Sequence, residues 1–431
     1  MEDSRRFGSV SIKGFILFYA LYCILLIKAS ITTFLRYFPN GYSASELFIS
    51  YSGGFIRRGL IGTILYALFP YVSLQYLIIV GYITVFVVFL VASYRSLSKN
   101  FDILTVLFIL SSPAYFLFHL KVSSVFARKD ILIQFFVFIS YGIAVWSVLN
   151  EKRKILWPTL LLLSLYIVSF LIHEMTLFYF PLPFALLGVA FQRRNKLLHW
   201  VIIGAVVVSA SLAVAYLFGG TIAQRSAICA AWQRHYPTLS CAPPPEYAPP
   251  AQQNSPDFVQ LGAAANAISY IGANLADNIR YIIPYYQNPV TLGSALYGVL
   301  LALLPLAFIC AGYNSLRSIK IVVSSLMLRI FFWIAVCIPW ALALIANDFG
   351  RHTSSACLSY LFFLLSMQRI APQPCQDWLR KLNARFESSS RYQWIILSVL
   401  LIYGFGWMLN HWVPIGKSFI SLDPLVHAIL R

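Results

Sequence analysis

Apolar segments about as long as a bilayer is thick recur along the whole chain, and no other feature restricts its fold as strongly. A membrane-spanning helix needs about 20 mostly apolar residues, and we place eleven such segments. Only 11% of the residues are charged, whereas soluble domains have about a quarter. We therefore predict an all-α, polytopic integral membrane protein, a single transmembrane domain over residues 1–431. The predicted spans are residues 14–38, 73–92, 103–120, 131–149, 155–172, 176–191, 198–218, 289–313, 321–346, 353–367 and 394–409.

Lysine and arginine are concentrated at one side of the predicted membrane. The N-terminal segment and every second connection hold 18 of the 32 Lys and Arg residues, and short cationic loops stay cytoplasmic. We therefore expect a cytoplasmic N-terminus and a C-terminus on the outer side. This arrangement explains the net charge of +18 without a nucleic-acid partner. The first apolar segment lacks a small-residue cleavage site, so we expect it to be retained as a spanning helix.

Three longer connections lie outside the predicted spans. Residues 38–72 form the first outer loop, in which we expect amphipathic helices, and residues 219–288 form a large outer loop. The large loop contains the run CAPPPEYAPPAQQNSP, whose prolines predict irregular or polyproline conformation. Cys229 and Cys241 lie in this loop and are the candidate disulfide pair if it faces an oxidising compartment. Residues 368–393 form the longest cytoplasmic loop.

The first outer loop holds an unusual stretch, SELFISYSGGFIRRGLIGTILYALFP, from Ser45 to Pro70. Arg57 and Arg58 are candidates for binding phosphate, because guanidinium groups pair with its oxygens bidentately. The alternative is that both side chains extend to lipid headgroups. The Gly53-Gly54 pair would let the backbone approach a ligand closely.

Four acidic residues lie at predicted outer helix ends or in short outer loops, and each has a cationic residue or a histidine near it in sequence. Charged groups at membrane level are costly and usually pair or serve a function. We expect the four groups to meet in one cavity that opens outward. The alternative is four separate salt bridges that tie helix ends. The groups are Glu46 with Arg57 and Arg58, Asp130 with Arg128 and Lys129, Glu174 with His173, and Asp348 with Arg351 and His352.

Three of these acids are candidate catalytic residues, because a general base must reach the hydroxyl whose proton it takes. Glu46 is the only acid in the first outer loop, and Asp348 is its rival for the role of base. Glu174 is the third candidate. For Asp348 the alternative role is to cap the start of a helix. The cationic residues and histidines of the four groups are candidate substrate-binding residues.

Metal and nucleotide motifs are absent from the sequence. There is no HExxH, no paired CxxC and no DxD, so we predict no bound zinc. No GxGxxG or P-loop motif is present either. We expect no required cofactor, and the sequence leaves a divalent metal open.

The chain resembles the membrane-integral glycosyltransferases of the GT-C class. The resemblance rests on the first helix with a cytoplasmic N-terminus, on a first outer loop that holds Glu46 and an interfacial helix near 60–69, and on about eleven spans. The chain is also similar to the O-antigen polymerases and ligases of bacterial envelopes, which have one large outer loop late in the chain. The paired acids of metal-dependent GT-C enzymes are absent. The RX10G spacing of some polymerases is not found at Arg225, Arg234 or Arg280.

The resemblance implies a function in bacterial surface polysaccharide synthesis. In such enzymes the first-loop acid is the catalytic base, here Glu46, and cationic residues, here Arg57 and Arg58, hold the phosphate of a polyprenyl-linked donor. We expect an inner-membrane enzyme that transfers or polymerises sugars at the periplasmic face, for O-antigen of lipopolysaccharide or for capsule. Expected partners are the lipid-linked sugar, membrane lipids and proteins of a polysaccharide assembly pathway. The alternative is a transporter or flippase of lipid-linked saccharides, in which polar groups usually lie near the bilayer midplane.

Overall fold

The computed structural model describes residues 10–122, 125–239, 267–271, 283–284, 286–345, 348–410 and 418–422. These residues are almost entirely helical, as predicted. The first nine helices are α1 (Val10–Tyr37), α2 (Tyr42–Leu47), α3 (Leu60–Leu68), α4 (Leu74–Asn100), α5 (Ile103–Ser111), α6 (Phe118–Lys121), α7 (Asp130–Leu149), α8 (Leu156–Ile172) and α9 (Thr176–Tyr179). The next nine are α10 (Pro181–Gln192), α11 (Leu197–Leu217), α12 (Ile222–Gln233), α13 (Pro289–Tyr313), α14 (Ser315–Val322), α15 (Leu326–Ile345), α16 (Phe349–Ile370), α17 (Asp377–Ser388) and α18 (Ser390–Phe405). Two-residue strands, β1 (Met408–Leu409) and β2 (Ile420–Ser421), pair antiparallel.

Several helices are long and apolar enough to cross a membrane, which supports a membrane-embedded protein. Five reach spanning length: Lys13–Tyr37, Leu74–Asn100, Asp130–Leu149, Leu197–Leu217 and Pro289–Tyr313. Three apolar helices are shorter: Leu156–Ile172, Pro181–Gln192 and Leu326–Trp340. The predicted number of eleven spans is not confirmed.

One predicted span, residues 103–120, is broken in the structure. Helix α5 ends at Ser111, and Ser112 is extended at φ −68° and ψ 127°. Pro113 follows, and a proline disfavours helical geometry in the residue before it. The chain becomes helical again only in the four-residue α6. The break lies just before the segment that carries Arg128, Lys129 and Asp130.

Helix α16 lies in the centre of the bundle and packs against α7, α13 and α15. Nearly all of its residues from Phe349 to Gln368 are buried, among them Ser354, Ser355 and Ser359. Small polar side chains of this kind let helices approach closely inside membranes. Because α7 and α16 pack together and both begin at the same end of the bundle, their first turns bring Asp130 and Asp348 close to each other.

The stretch from Ser45 to Pro70 contains α2, a 3₁₀ turn at Tyr51–Gly53 and the expected helix near residues 60–69, here α3. It is held by α12, which comes from the large outer loop. Trp232 donates a hydrogen bond to the Phe48 carbonyl oxygen at 2.6 Å, and their rings stack with centroids 4.4 Å apart. A Cβ atom on Gly53 would lie 2.7 Å from the Gln224 carbonyl oxygen. This glycine therefore lets the 3₁₀ turn approach α12.

The large loop differs from its prediction in its first part, where α12 begins with a capping box formed by Thr221 and Gln224. The proline-rich run lies outside the described residues. Cys229, on α12, takes part in a disulfide, and its predicted partner Cys241 lies outside the described residues. In the loop 368–393, α17 buries Leu379 and Phe386.

Candidate functional site

Ten charged or imidazole side chains meet at one end of the bundle, and we call them the charged cluster. They come from α2, from the loop before α3, from the start of α7, from the residues after α8 and from the start of α16. The four acids expected to share one site lie in one connected network of ion pairs and not in four separate salt bridges. That they line a cavity which opens outward stays a prediction. The cluster consists of Glu46, Arg57, Arg58, Arg128, Lys129, Asp130, His173, Glu174, Asp348 and Arg351.

Arg128 is the centre of the buried part of the cluster. Its Nε lies 3.1 Å from Oε2 of Glu46 and 3.5 Å from Oδ2 of Asp130. Its Nη2 lies 3.5 Å from Oδ2 of Asp348, and its guanidinium carbon lies 4.8 Å from the centre of the Tyr42 ring. The Arg128 side chain is 1% exposed. One buried guanidinium therefore joins carboxylates from three separate segments.

Glu46 does not pair with Arg57 and Arg58, the cations with which it was grouped in the sequence. Glu46 pairs with Arg128, and its Oε1 lies 3.3 Å from Nε2 of His173. Nδ1 of His173 accepts a hydrogen bond from the Met175 backbone N–H at 3.2 Å. A neutral ring with this bond carries its proton on Nε2, which faces Glu46, and burial lowers the His173 pKa.

Arg57 and Arg58 lie over Glu174 at the edge of the cluster. Nε of Arg58 donates to Oε1 and Oε2 of Glu174 at 2.9 and 2.7 Å, and its Nη2 also donates to Oε1. Nη2 of Arg57 lies 3.5 Å from Oε1 of Glu174, and its Nη1 donates to the Ala215 carbonyl oxygen at 2.7 Å. Lys129 donates to the Arg58 carbonyl oxygen at 3.0 Å. Glu174 therefore orients both arginines.

The start of α16 completes the cluster. Arg351 contacts Asp348 at 3.1 Å and Asp130 at 3.8 Å. Asp348 occupies the N-cap position of α16, but its side chain makes no capping hydrogen bond. Its carboxylate is turned to Arg128 and Arg351 instead. His352 lies one residue further and accepts or donates a 2.9 Å hydrogen bond at Nδ1 with the Tyr179 hydroxyl.

Exposure divides the cluster into a buried floor and an accessible rim. Side chains of the floor are 1–6% exposed, and they are Glu46, Arg128, Asp130, His173 and Arg351. Rim side chains are 15–27% exposed, and they are Arg57, Arg58, Glu174 and Asp348. A ligand that approaches from this end of the bundle meets two arginines and two carboxylates first.

The surroundings shift the pKa values of the acids in opposite directions. Burial raises the pKa of Glu46, but Arg128, His173 and Lys129 outweigh this effect, and the net shift is downward. Glu174 is likewise shifted downward, because Arg58, His173 and Arg57 outweigh its burial. The pKa of Asp348 is raised, because burial outweighs the attraction of Arg128. Of these three carboxylates, Asp348 is therefore the most basic.

Several buried polar atoms of the floor have no hydrogen-bond partner among the described residues. Leaving such a group unsatisfied costs about 1–3 kcal/mol, and native proteins contain few of them. These atoms therefore keep the capacity to bond to a further polar group. The atoms of the floor are Nη1 of Arg128, Oδ2 of Asp130, and Nε and Nη1 of Arg351. Near them in sequence, Nε2 of His352 and the hydroxyls of Thr176 and Thr353 are in the same state.

Sequence reasoning missed two tyrosines at the site. Tyr42 lies one helical turn before Glu46 on α2 and under the Arg128 guanidinium. Tyr179 bonds to His352. The spacing of Tyr42 and Glu46 at i and i+4 was a signal that both lie on one face of a helix.

The described residues contain no group of three or more His, Cys, Asp or Glu side chains that could hold a metal ion. A large apolar cleft lies between α4, α7, α8 and α16, away from the charged cluster.

No match was found when the chain was compared with protein-family models, with curated proteins and with solved structures.

Proposed function

We propose that the charged cluster is the active site of a bacterial inner-membrane glycosyltransferase. Its donor is a sugar linked to polyprenyl phosphate or diphosphate, and it acts at the periplasmic face in surface polysaccharide synthesis. The observation that supports this most is the combination of an accessible rim of two arginines and a basic carboxylate with a floor of unsatisfied buried polar atoms. A polar substrate that forms hydrogen bonds to such atoms gains binding free energy from them.

Arg57 and Arg58 are the groups that bind the donor phosphate. Both side chains are about a quarter exposed. The hydrogen bonds of Arg58 to Glu174 use only Nε and Nη2, and a guanidinium has five N–H donors. Because Glu174 fixes both arginines, their remaining donors are preorganised for phosphate oxygens. Glu174 is thus a positioning residue in this proposal.

Asp348 is the general base, and Glu46 positions Arg128. The Asp348 carboxylate is 20% exposed and its pKa is raised. Glu46 is 2% exposed and has a lowered pKa, so it is a weak base that a substrate hydroxyl reaches poorly. A base with a raised pKa takes a proton more readily. This assignment differs from the one that the family resemblance implies for Glu46.

The reaction is a single displacement. The acceptor hydroxyl oxygen forms a bond to the anomeric carbon as the bond from that carbon to the phosphate oxygen breaks. The polyprenyl phosphate or diphosphate leaves with the electron pair, held by Arg57 and Arg58, and the hydroxyl proton passes to Asp348. The product has the inverted anomeric configuration.

The test compares four variants, Glu46→Gln, Arg57→Ala, Glu174→Gln and Asp348→Asn, in purified protein reconstituted with a lipid-linked sugar and an acceptor. Released polyprenyl phosphate and the glycan product are measured after membrane insertion of each variant is confirmed. We expect the largest loss for Asp348→Asn. The matched control is Glu151→Gln, whose carboxylate forms an exposed 2.6 Å ion pair with Arg193, and it should retain activity.

Two outcomes would overturn the proposal. Full activity in all four variants would remove the cluster from the reaction. Movement of the lipid-linked sugar across the membrane without release of polyprenyl phosphate would identify a flippase.

A further inference from the structure

A cleft of about 860 Å³ lies between α4, α7, α8 and α16. On α7, Phe138 and Trp146 line it, eight and sixteen residues after Asp130, which places them about 12 and 24 Å from the charged cluster along the helix. The cleft therefore begins well below the cluster and extends to the opposite end of the bundle.

The walls of the cleft are almost entirely apolar. Leu160, Leu161, Phe362 and Leu365 contribute to them. Among the polar groups in the lining, the Tyr141 hydroxyl is bonded to Ser359 and the Ser366 hydroxyl donates to the Phe362 carbonyl oxygen. A sugar would leave its hydroxyls unpaired here, which costs free energy. The walls fit a hydrocarbon chain.

Among the residues that line the cleft, one is a cation, and it lies at the far end. Arg153 lies at the same end, 5.6 Å from the centre of the Trp146 ring, but does not line the cleft. Arg369, in the last turn of α16, lines it and is exposed. Arg369 makes no hydrogen bond or ion pair with any residue that the structure describes. Trp146 and Trp157 lie at the same end and are 40% and 72% exposed. Tryptophans of this kind gather at the level of lipid headgroups, so Arg369 lies where a headgroup phosphate would be.

We infer that this cleft is a binding site for an anionic membrane phospholipid, with one acyl chain between α7 and α8 and the phosphate at Arg369. The volume lies within the range of about 300–1,000 Å³ that small-molecule sites have. The free guanidinium supplies the charge that favours an anionic over a zwitterionic headgroup. This site is separate from the proposed active site and does not depend on it.

The experiment uses the full chain in nanodiscs with phosphatidylglycerol or phosphatidylcholine that carries a photoreactive group near the end of one acyl chain. Cross-linked peptides are located and quantified by mass spectrometry. We expect phosphatidylglycerol to label α7 and α8 more strongly than phosphatidylcholine does. Arg369→Ala should reduce this labelling about 5-fold, which corresponds to the roughly 1 kcal/mol that one cation gains near an anionic lipid surface. Arg391→Ala, in the same predicted loop and outside the cleft lining, is the control.

Two glycines offer a matched pair for blocking the cleft. Gly142 lines it, and Gly81 lies on α4 outside the lining. A Cβ atom on either glycine would meet nothing within 4 Å, so both tolerate a larger side chain. Gly142→Leu should abolish labelling of α7 and α8, and Gly81→Leu should leave it within 2-fold. Ser164→Leu fills the cleft from α8 if Gly142→Leu fails to fold.

Two results would overturn the inference, because each means that only the general lipid surface was labelled. One is equal labelling by both lipids, and the other is unchanged labelling in Gly142→Leu and Ser164→Leu. Full competition by inorganic phosphate would also overturn it, since the site would then bind an anion without the chain.

Discussion

The ion pair between Arg128 and Glu46 allows a quantitative test of the buried floor. The side chains are 1% and 2% exposed and their charged atoms are 3.1 Å apart. With an effective dielectric constant of about 20, the Coulomb energy at this distance is about 5 kcal/mol. Arg128 also lies near Asp130 and Asp348, so Arg128→Met leaves three carboxylates without this cation. We expect the free energy of unfolding to fall by about 3–5 kcal/mol.

The assay is a double-mutant cycle of Arg128→Met and Glu46→Gln, with the free energy of unfolding measured in mixed detergent micelles. Removing both charges leaves fewer groups unpaired than removing one, so the double variant should be more stable than the sum of the single losses predicts. We expect a coupling energy of about 2–3 kcal/mol, near the upper end for contacting residues.

The control cycle uses Arg193 and Glu151, which are closer, at 2.6 Å, but 36% and 48% exposed. Water screens such a pair, and its coupling should be below about 1 kcal/mol. If the two cycles give equal coupling energies, burial does not strengthen the Arg128–Glu46 pair and the description of the floor is wrong.

Three further predictions concern pH and the disulfide. Because the pKa of Asp348 is raised above 3.8, the acid limb of the pH–rate profile should lie above that value. Sugar transfer by Asp348→Asn should be about 10²–10⁴-fold slower. An unchanged acid limb in this variant would rule Asp348 out as the base. Burial lowers the pKa of Lys129 from 10.5 to about 8, so between these pH values the unfolded chain binds more protons and the stability of the native protein should rise with pH. Thermal unfolding of Lys129→Met should lack this rise, and an equal rise in both proteins would contradict the assignment. Cys229→Ser should lower the free energy of unfolding by about 2–4 kcal/mol, seen as a lower unfolding midpoint, whereas Cys375→Ser, at a free cysteine, should leave the midpoint unchanged.

Local features that depend on neighbouring residues could be predicted from the sequence. The helical class follows from the apolar segments, and α3 follows from the pattern after Arg58. The break after Ser111 was present in the sequence as Pro113 but was outweighed by the apolar residues around it. Helix α12 was not predicted, because the proline-rich run that follows it indicated irregular structure and the residues before that run were not considered separately.

Which charges pair could not be predicted from sequence distance. Glu46 lies 82 positions from Arg128 and Arg58 lies 116 positions from Glu174, because the packing of helices determines which side chains meet. The sequence analysis named Glu46 as a candidate for the base and Asp348 as its rival. Only the structure shows that the Asp348 carboxylate is partly exposed and that the Glu46 carboxylate is buried.

The sequence by itself predicted that this chain is helical and membrane-embedded and that four of its acids lie at one end of the bundle, because hydrophobicity and the cost of buried charge act on each segment separately. The tertiary structure alone decided that Arg128 joins three of those acids, that Glu174 orients Arg57 and Arg58, and that a cleft at the other end terminates at Arg369. These features depend on how α7, α8 and α16 pack, and packing brings together residues that no local pattern connects.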